Sequence, residues 1–147
     1  MQKLEFNTTI NAPREKVWDV LWNKISYREW TSVFSPGSDV QTNWGKGDKV
    51  LFGDGTGNGM VSEIAENIPN EFMSFRHLGE MKDGVEDTTS EKVKAWAGCM
   101  ENYTLKNAGG NTELKVEIDI ADEYKDMFND MFPKALQKVK ELAEKNG

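Results

Sequence analysis

Apolar and polar residues alternate through the first ten positions. Leu4, Phe6, Thr8 and Ile10 interleave with Lys3, Glu5, Asn7 and Thr9, the two-residue period of a strand with one buried face. The period then lengthens. Ala12-Pro13 opens a helix, with Pro13 at a first position where its missing N–H costs nothing. Val17, Trp18, Leu21, Trp22 and Ile25 form its apolar stripe. Ser26-Tyr27-Arg28-Glu29 has capping-box spacing and predicts a second short helix carrying Trp30 and Val33-Phe34, closed by Ser35-Pro36-Gly37. Short strands follow over 40–44, 48–52, 60–68 and 71–78, the last with Met73, Phe75 and His77 on one face. A final hairpin pairs 99–106 with 112–120, where Leu114, Val116, Ile118 and Ile120 alternate with charged or polar residues. From Asp122 the period becomes helical. Tyr124, Met127, Phe128, Met131, Phe132, Ala135, Leu136, Val139, Leu142 and Ala143 recur over about six turns. Pro133 falls inside this helix, where it removes a hydrogen bond and should bend the axis.

Two stretches interrupt this order. Gly53 to Gly59, Gly-Asp-Gly-Thr-Gly-Asn-Gly, has the composition of a phosphate cradle but not its spacing. Counted from Gly53, the third glycine of a dinucleotide fingerprint falls on Asn58, and from Gly55 on Met60; no Gly-Lys-Ser/Thr follows. Asp54, Thr56 and Asn58 imitate the first half of a calcium loop, but Ala65 stands where a bidentate Glu is needed. The stretch is predicted to be a hairpin turn. Residues 79–98 are acidic, polar and longer than an ordinary hairpin connection. Thr88-Thr89-Ser90-Glu91 has capping spacing and predicts a helical turn over 91–96. The segment ending at Trp96 reads either as a lid or as an insertion whose Trp packs on a nearby edge.

One strand, two short helices, an antiparallel run of about six strands and one long helix make an α+β domain in which only the terminal helix can cover the sheet's apolar side. The 147 residues suit a single domain over 1–147 with a real core. A net charge of −7 argues against a nucleic-acid or anionic-membrane surface. The first residues lack the apolar run of a signal peptide and no stretch reaches membrane-spanning length, so a cytoplasmic protein without membrane insertion is expected. Cys99, the one cysteine, excludes an internal disulfide and is expected as a small buried side chain. Five Trp, seven Phe and seven Met in a chain only 37% hydrophobic must be concentrated inside, where large flexible groups fill irregular space.

Ile10-Asn11-Ala12-Pro13-Arg14-Glu15-Lys16-Val17-Trp18 resembles the I-x-A-P-x-x-x-V-W opening of the SRPBCC superfamily, also called START-like or birch-pollen-allergen-like. Tyr27-Arg28-Glu29-Trp30, Gly45-x-Gly47-Asp48-x-Val50, Gly59-x-Val61, Glu101-Asn102-Tyr103-Thr104-Leu105, Gly110-Asn111-Thr112-Glu113-Leu114 and the closing Lys134-Ala135-Leu136…Leu142 follow in order. Within the superfamily the chain is most similar to the branch named after the activator of heat-shock-protein-90 ATPase. The resemblance covers essentially the whole chain and implies a helix-grip fold, a curved antiparallel sheet wrapped around the long C-terminal helix. It implies a scaffold and no particular reaction, since members bind lipids, hormones or polyketides and some are enzymes. No cofactor is implied.

His77, the only histidine, reads as a general base, a ligand's hydrogen-bond donor, or a satisfied inner-face side chain. Without a second His no metal site is expected. Glu101 and Tyr103 share a face with Leu105. If Leu105 points inward, the carboxylate enters apolar space and needs a partner such as His77 or Arg76; otherwise the strand is bulged and Glu101 meets water. Met127, Phe128 and Met131 have the spacing of ordinary core, while the aromatic and Met excess favours a cavity wall. The expected ligand cavity is framed by Trp30, Phe52, Phe75, His77, Trp96, Tyr103, Met127, Phe128 and Met131, with Trp18 and Trp22 packing the first helix on the sheet. Binding of a small hydrophobic or amphipathic molecule is the leading expectation. The alternatives are a cyclase- or hydrolase-type enzyme using His77, Glu101 and Tyr103 as acid–base groups, and a chaperone co-factor acting through its surface. The length leaves no room for the separate chaperone-binding domain of the true activators, which counts against the last.

Overall fold

The computed structural model describes residues 2–145. The first strand, β1 (Gln2–Ile10), is followed by α1 (Arg14–Trp22) and α2 (Lys24–Thr31). The strands β2 (Asp39–Gln41), β3 (Lys49–Gly53), β4 (Gly59–Ile68), β5 (Phe72–Lys82) and β6 (Val85–Asp87) come next, then α3 (Glu91–Lys94). A last hairpin of β7 (Met100–Ala108) and β8 (Asn111–Ile120) leads through a 3₁₀ turn at Asp122–Tyr124 into α4 (Lys125–Glu144). All strands join one antiparallel sheet in the order β1-β8-β7-β5-β4-β3-β2, with β6 paired to β5. Its eight strands are the first strand, the six expected after the two helices, and β6, which arises because β5 continues past residue 78 and folds back. The α+β helix-grip architecture is as the sequence predicts, with α4 against the sheet and two short helices after β1.

Alternation puts one side of the sheet inside. Across β1, β8, β7, β5 and β4, the pairings Leu4↔Ile118, Ile118↔Glu101, Glu101↔Phe75 and Phe75↔Ile64 make one inward row. Phe6, Val116, Tyr103 and Met73 make the next. α4 closes over them with Phe132, Ala135, Leu136, Val139 and Ala143, and Phe132 stacks on Phe6 at 5.1 Å. Lys140 Nζ donates to the Thr9 carbonyl at 3.0 Å and the Asn11 N–H to Glu144 Oε2 at 2.7 Å. The helix therefore runs in the same direction as β1, and its first turns lie toward the Leu4 end of the sheet.

Two irregularities in β4–β5 redirect side chains. Leu78 is skipped between the pairs Val61↔Gly79 and Ser62↔His77, and Ala65 between Ile64↔Phe75 and Glu66↔Ser74. An extra residue on one strand reverses the faces beyond it. Ser62 and Ile64 point inward, but after Ala65 it is Asn67, paired with Met73, that turns in, and Ile68 that is left exposed.

Several local expectations are corrected. Pro13 is the N-cap of α1, in extended conformation, and not its first helical residue. α2 begins at Lys24 because the Asn23 side chain caps it by accepting the Ile25 N–H at 2.9 Å; the Ser26 hydroxyl instead donates to the Val20 carbonyl. Ile25 belongs to α2 and is exposed, so it is no part of the α1 stripe. Residues 79–98 are mostly built structure: β5 runs to Lys82, β6 pairs with it, and α3, capped by Ser90, buries Val93. Cys99 is half-buried, and burial, then the Asp119 charge, pushes its thiol upward. Pro133 sits exposed in α4, which runs unbroken through it, while Tyr124 and Met127 at the start of the stripe are exposed. The glycine-rich stretch closes the β3–β4 hairpin, and its Gly57 carbonyl accepts the Gly84 N–H. No helix among the described residues is long and apolar enough to cross a membrane.

Leu136 is 3% exposed and Met127 44%, so Leu136→Ala should cost about 2–5 kcal/mol in denaturant titrations and Met127→Ala under about 0.5. A Cβ on Gly59 would collide with the Phe52 carbonyl, whereas one on Gly53 meets nothing. Gly59→Ala should therefore destabilise by about 1–3 kcal/mol and Gly53→Ala by much less. Equal losses at the two glycines would contradict the close approach of β3 and β4.

Candidate functional site

Glu101 occupies the middle of the inward row, between Ile118 and Phe75. A carboxylate there is costly unless its oxygens find donors. Both do. Tyr103, two residues on along the same face of β7, donates its hydroxyl to Oε2 at 2.5 Å. His77, from β5, lies with Nε2 3.1 Å from Oε1. On the other side of the ring, Nδ1 is 2.6 Å from the Ser62 hydroxyl on β4. A neutral imidazole with its proton on Nε2 satisfies the whole chain: Ser62 donates to His77, and His77 and Tyr103 both donate to Glu101.

Access differs sharply along this chain. Ser62 is completely buried and Tyr103 nearly so, whereas the Glu101 side chain keeps 21% of its surface. Burial first, then the Glu101 charge and hydrogen bond, push the Tyr103 hydroxyl well above the ordinary tyrosine range. Tyr27 on α2 is raised as well, by burial and then by the charge of Glu101. Tyr103 is therefore a donor and not a base. Glu101 is the one member of the chain that presents an acceptor toward solvent.

Rings fill one end of the interior. Trp22 packs edge-on against Phe75 and Tyr103, with centroids 5.4 and 5.0 Å away. Phe52 meets Phe75 at 5.1 Å and His77 at 6.0 Å, and Trp30 meets Tyr103 and Tyr27. Among the residues expected to frame a cavity, Trp30, Phe52, Phe75, His77 and Tyr103 thus come together in one cluster. Phe128 is half-buried against Phe34 and Phe132, and Met131 is half-buried beside them in sequence. Met127 points out to solvent. Trp96 is half-buried at the end of α3, where its backbone bonds to Val93 and Cys99.

Ser62, Tyr27, Phe34 and the central position of Trp22 were not expected. Ser62 alternates with Ile64, a signal that would have placed it inside. Nothing local marks Tyr27 as a neighbour of Glu101, because that proximity is made by the packing of α2 on the sheet.

Two pockets are lined in part by Trp22 and Trp44. One, of about 420 Å³, is lined by Trp22, Lys24, Val40, Gln41, Thr42 and Trp44. The other, of about 250 Å³, involves Trp18, Trp22, Trp44, Asn67 and Met73, with Asp19 and Asn23 at its edge. Neither touches His77 or Glu101.

This geometry belongs to a known group. The "Solution structure of the Aha1 dimer from Colwellia psychrerythraea" superposes with a TM-score of 0.74 at 16% identity, covering 98% of this chain and 97% of that one. A protein from Mesorhizobium loti gives the same TM-score at 15% identity, covering 99% of both chains. A Cytophaga hutchinsonii protein gives 0.72 at 18% identity over 99% of this chain and 96% of its own. At these identities the likeness is one of fold. No curated protein matches the chain. The family model "Activator of Hsp90 ATPase homolog 1-like protein" matches residues 11–144, and the chain belongs to that family.

Proposed function

We propose that the domain binds a small amphipathic molecule at the Leu4 end of its interior, with the hydrocarbon part between the first turns of α4 and the sheet and a polar head on Glu101. The observation that carries this reading is the partly exposed Glu101 carboxylate in an otherwise apolar row. A carboxylate has about four acceptor positions, and Tyr103 and His77 occupy two of them. The remaining capacity suits a ligand hydroxyl or amine. Half-buried Phe34, Phe52, Phe128 and Met131 supply an apolar rim of the kind that contributes most of a small ligand's affinity, while the few polar groups set its orientation.

Ser62, His77 and Glu101 repeat the hydroxyl–imidazole–carboxylate order of a hydrolase. The hydroxyl, however, is fully buried, and a nucleophile must reach its substrate. This favours binding over acyl transfer. The family name also suggests a chaperone partner, met through the surface.

An uncharged apolar fluorescent probe such as Nile red tests for the apolar cleft. It should bind saturably at one site and raise the melting temperature, since a ligand of the folded state stabilises it. Phe128→Trp or Met131→Trp should block the probe and leave the protein folded. A folded protein that binds no apolar probe would sink the reading and move surface-mediated chaperone action to the front. For the polar head, Glu101→Gln should weaken a long-chain amine or alcohol by about tenfold or more relative to the matching hydrocarbon.

The same network sets an alkaline limit. The folded state holds the Tyr103 proton above the ordinary tyrosine value of 10.0, so its contribution is fully present below that pH and is lost as pH rises through the folded value. Stability should fall above about pH 10, and Tyr103→Phe should flatten that fall in alkaline denaturation curves.

A further inference from the structure

Glu101 carries a charge for which its neighbours supply no counter-charge. Its two donors are the Tyr103 hydroxyl and His77 Nε2, and no lysine or arginine among the described residues pairs with it. Arg76, which precedes His77 on β5, is exposed and bound to Glu63 instead. A carboxylate set among apolar side chains is ordinarily matched by a cation, whether from a side chain, a metal or a ligand.

The geometry speaks against the first two sources. An imidazolium at His77 would donate from both ring nitrogens, to Glu101 and to Ser62. The Ser62 hydroxyl would then need another acceptor for its own proton. Ser62 is completely buried, and His77 is the only partner of its hydroxyl among the described residues. The order in which Ser62 donates to Nδ1 therefore keeps the ring neutral, because the alternative leaves a buried donor unpaired. Tyr103 brings a neutral hydroxyl, whose proton is held in place by burial and by the Glu101 charge. A metal ion would need further ligands, and the described residues contain no group of three His, Cys, Asp or Glu able to hold one. The remaining source is a ligand, and the 21% of the Glu101 side chain still exposed is where it can reach.

Resting on the binding reading above, we propose that the head group on Glu101 is a protonated primary or secondary amine, so that the site takes amphipathic cations in preference to alcohols or acids of the same chain. An alcohol only replaces the hydrogen bond that a water would make. An ammonium adds the missing charge, and charge-assisted hydrogen bonds are about twice as strong as neutral ones. An acid would bring a second negative charge to the first. Phe52 is half-buried, and its ring meets His77 and also Phe75, the cross-strand partner of Glu101. An aromatic ring attracts a cation and gives an alcohol no such gain.

The test uses octylamine, protonated near pH 7 like a lysine side chain, against 1-octanol and octanoate, which share its chain length. Each is titrated against Nile red bound to the protein. Octylamine should displace the dye at about tenfold lower concentration than 1-octanol, and octanoate should be the weakest of the three. Glu101→Gln keeps an acceptor and loses the charge, so it should erase the gap between amine and alcohol. His77 is the only histidine, so its imidazole ¹⁵N signals give a second measurement that needs no variant. At about pH 7 they should show a neutral ring with its proton on Nε2, before and after saturation with octylamine. An imidazolium in the free protein would overturn the proposal, since Glu101 would already have its cation. Equal displacement by octylamine and 1-octanol, or a gap that survives Glu101→Gln, would also overturn it while leaving the apolar cleft intact. If none of the three displaces the dye, or no dye binds, the binding reading fails with it.

Discussion

Trp22 ends α1 with its indole edge against both Phe75 and Tyr103, at 5.4 and 5.0 Å. Those two rings stand on adjacent strands, β5 and β7, so a single side chain fastens the helical layer to the middle of the sheet. Edge-to-face contacts of this kind add about 0.5–1.5 kcal/mol each beyond simple burial. Their geometric effect is larger than their energy. With Trp22 wedged there, α2 is held where Trp30 and Tyr27 lie over Tyr103 and near Glu101. The rings of Trp22, Phe75, Tyr103 and Trp30 fill that part of the interior.

On the Leu4 side, the consequence is electrostatic. A carboxylate flanked by Ile118 and Phe75 persists because two buried donors face it. Tyr103 is suited to the task because burial and the neighbouring charge hold its proton in place. His77 is held on its far side by Ser62, which fixes the ring without offering it to solvent. Three side chains from three strands, Ser62, His77 and Tyr103, therefore serve one partly exposed acceptor on Glu101. Removing the Ser62 hydroxyl would leave the buried His77 Nδ1 unpaired, a loss that ordinarily exceeds the net value of the bond itself.

The main lines of this fold were legible in the pattern of residues, and the reasons differ by element. Long alternating runs such as Leu114–Ile120 and the ten-residue stripe of α4 carry their own period, and they fold where that period predicts. The inward face of Glu101 and Tyr103 followed from Leu105 by the same rule. Capping chemistry was less decisive, since Asn23 competes with Ser26 for the start of α2 and wins by bonding the Ile25 N–H. Quantities that depend on three-dimensional packing were not legible. Met127 has the spacing of a core residue, but its side chain is left in solvent. Trp22 read as a helix–sheet contact, which it is, without any sign that it occupies the space a ligand was expected to fill.

The skipped residues in β4–β5 illustrate why the remainder needed coordinates. Strict alternation from Ile64 would turn Ile68 inward and leave Asn67 wet. One extra residue at Ala65 reverses both, exposing an apolar side chain and burying an amide oxygen that no described residue satisfies. Taken as packing alone, that exchange is unfavourable at both positions. It becomes intelligible if the amide is needed where it lies, clamping the strained Trp44 backbone through its nitrogen.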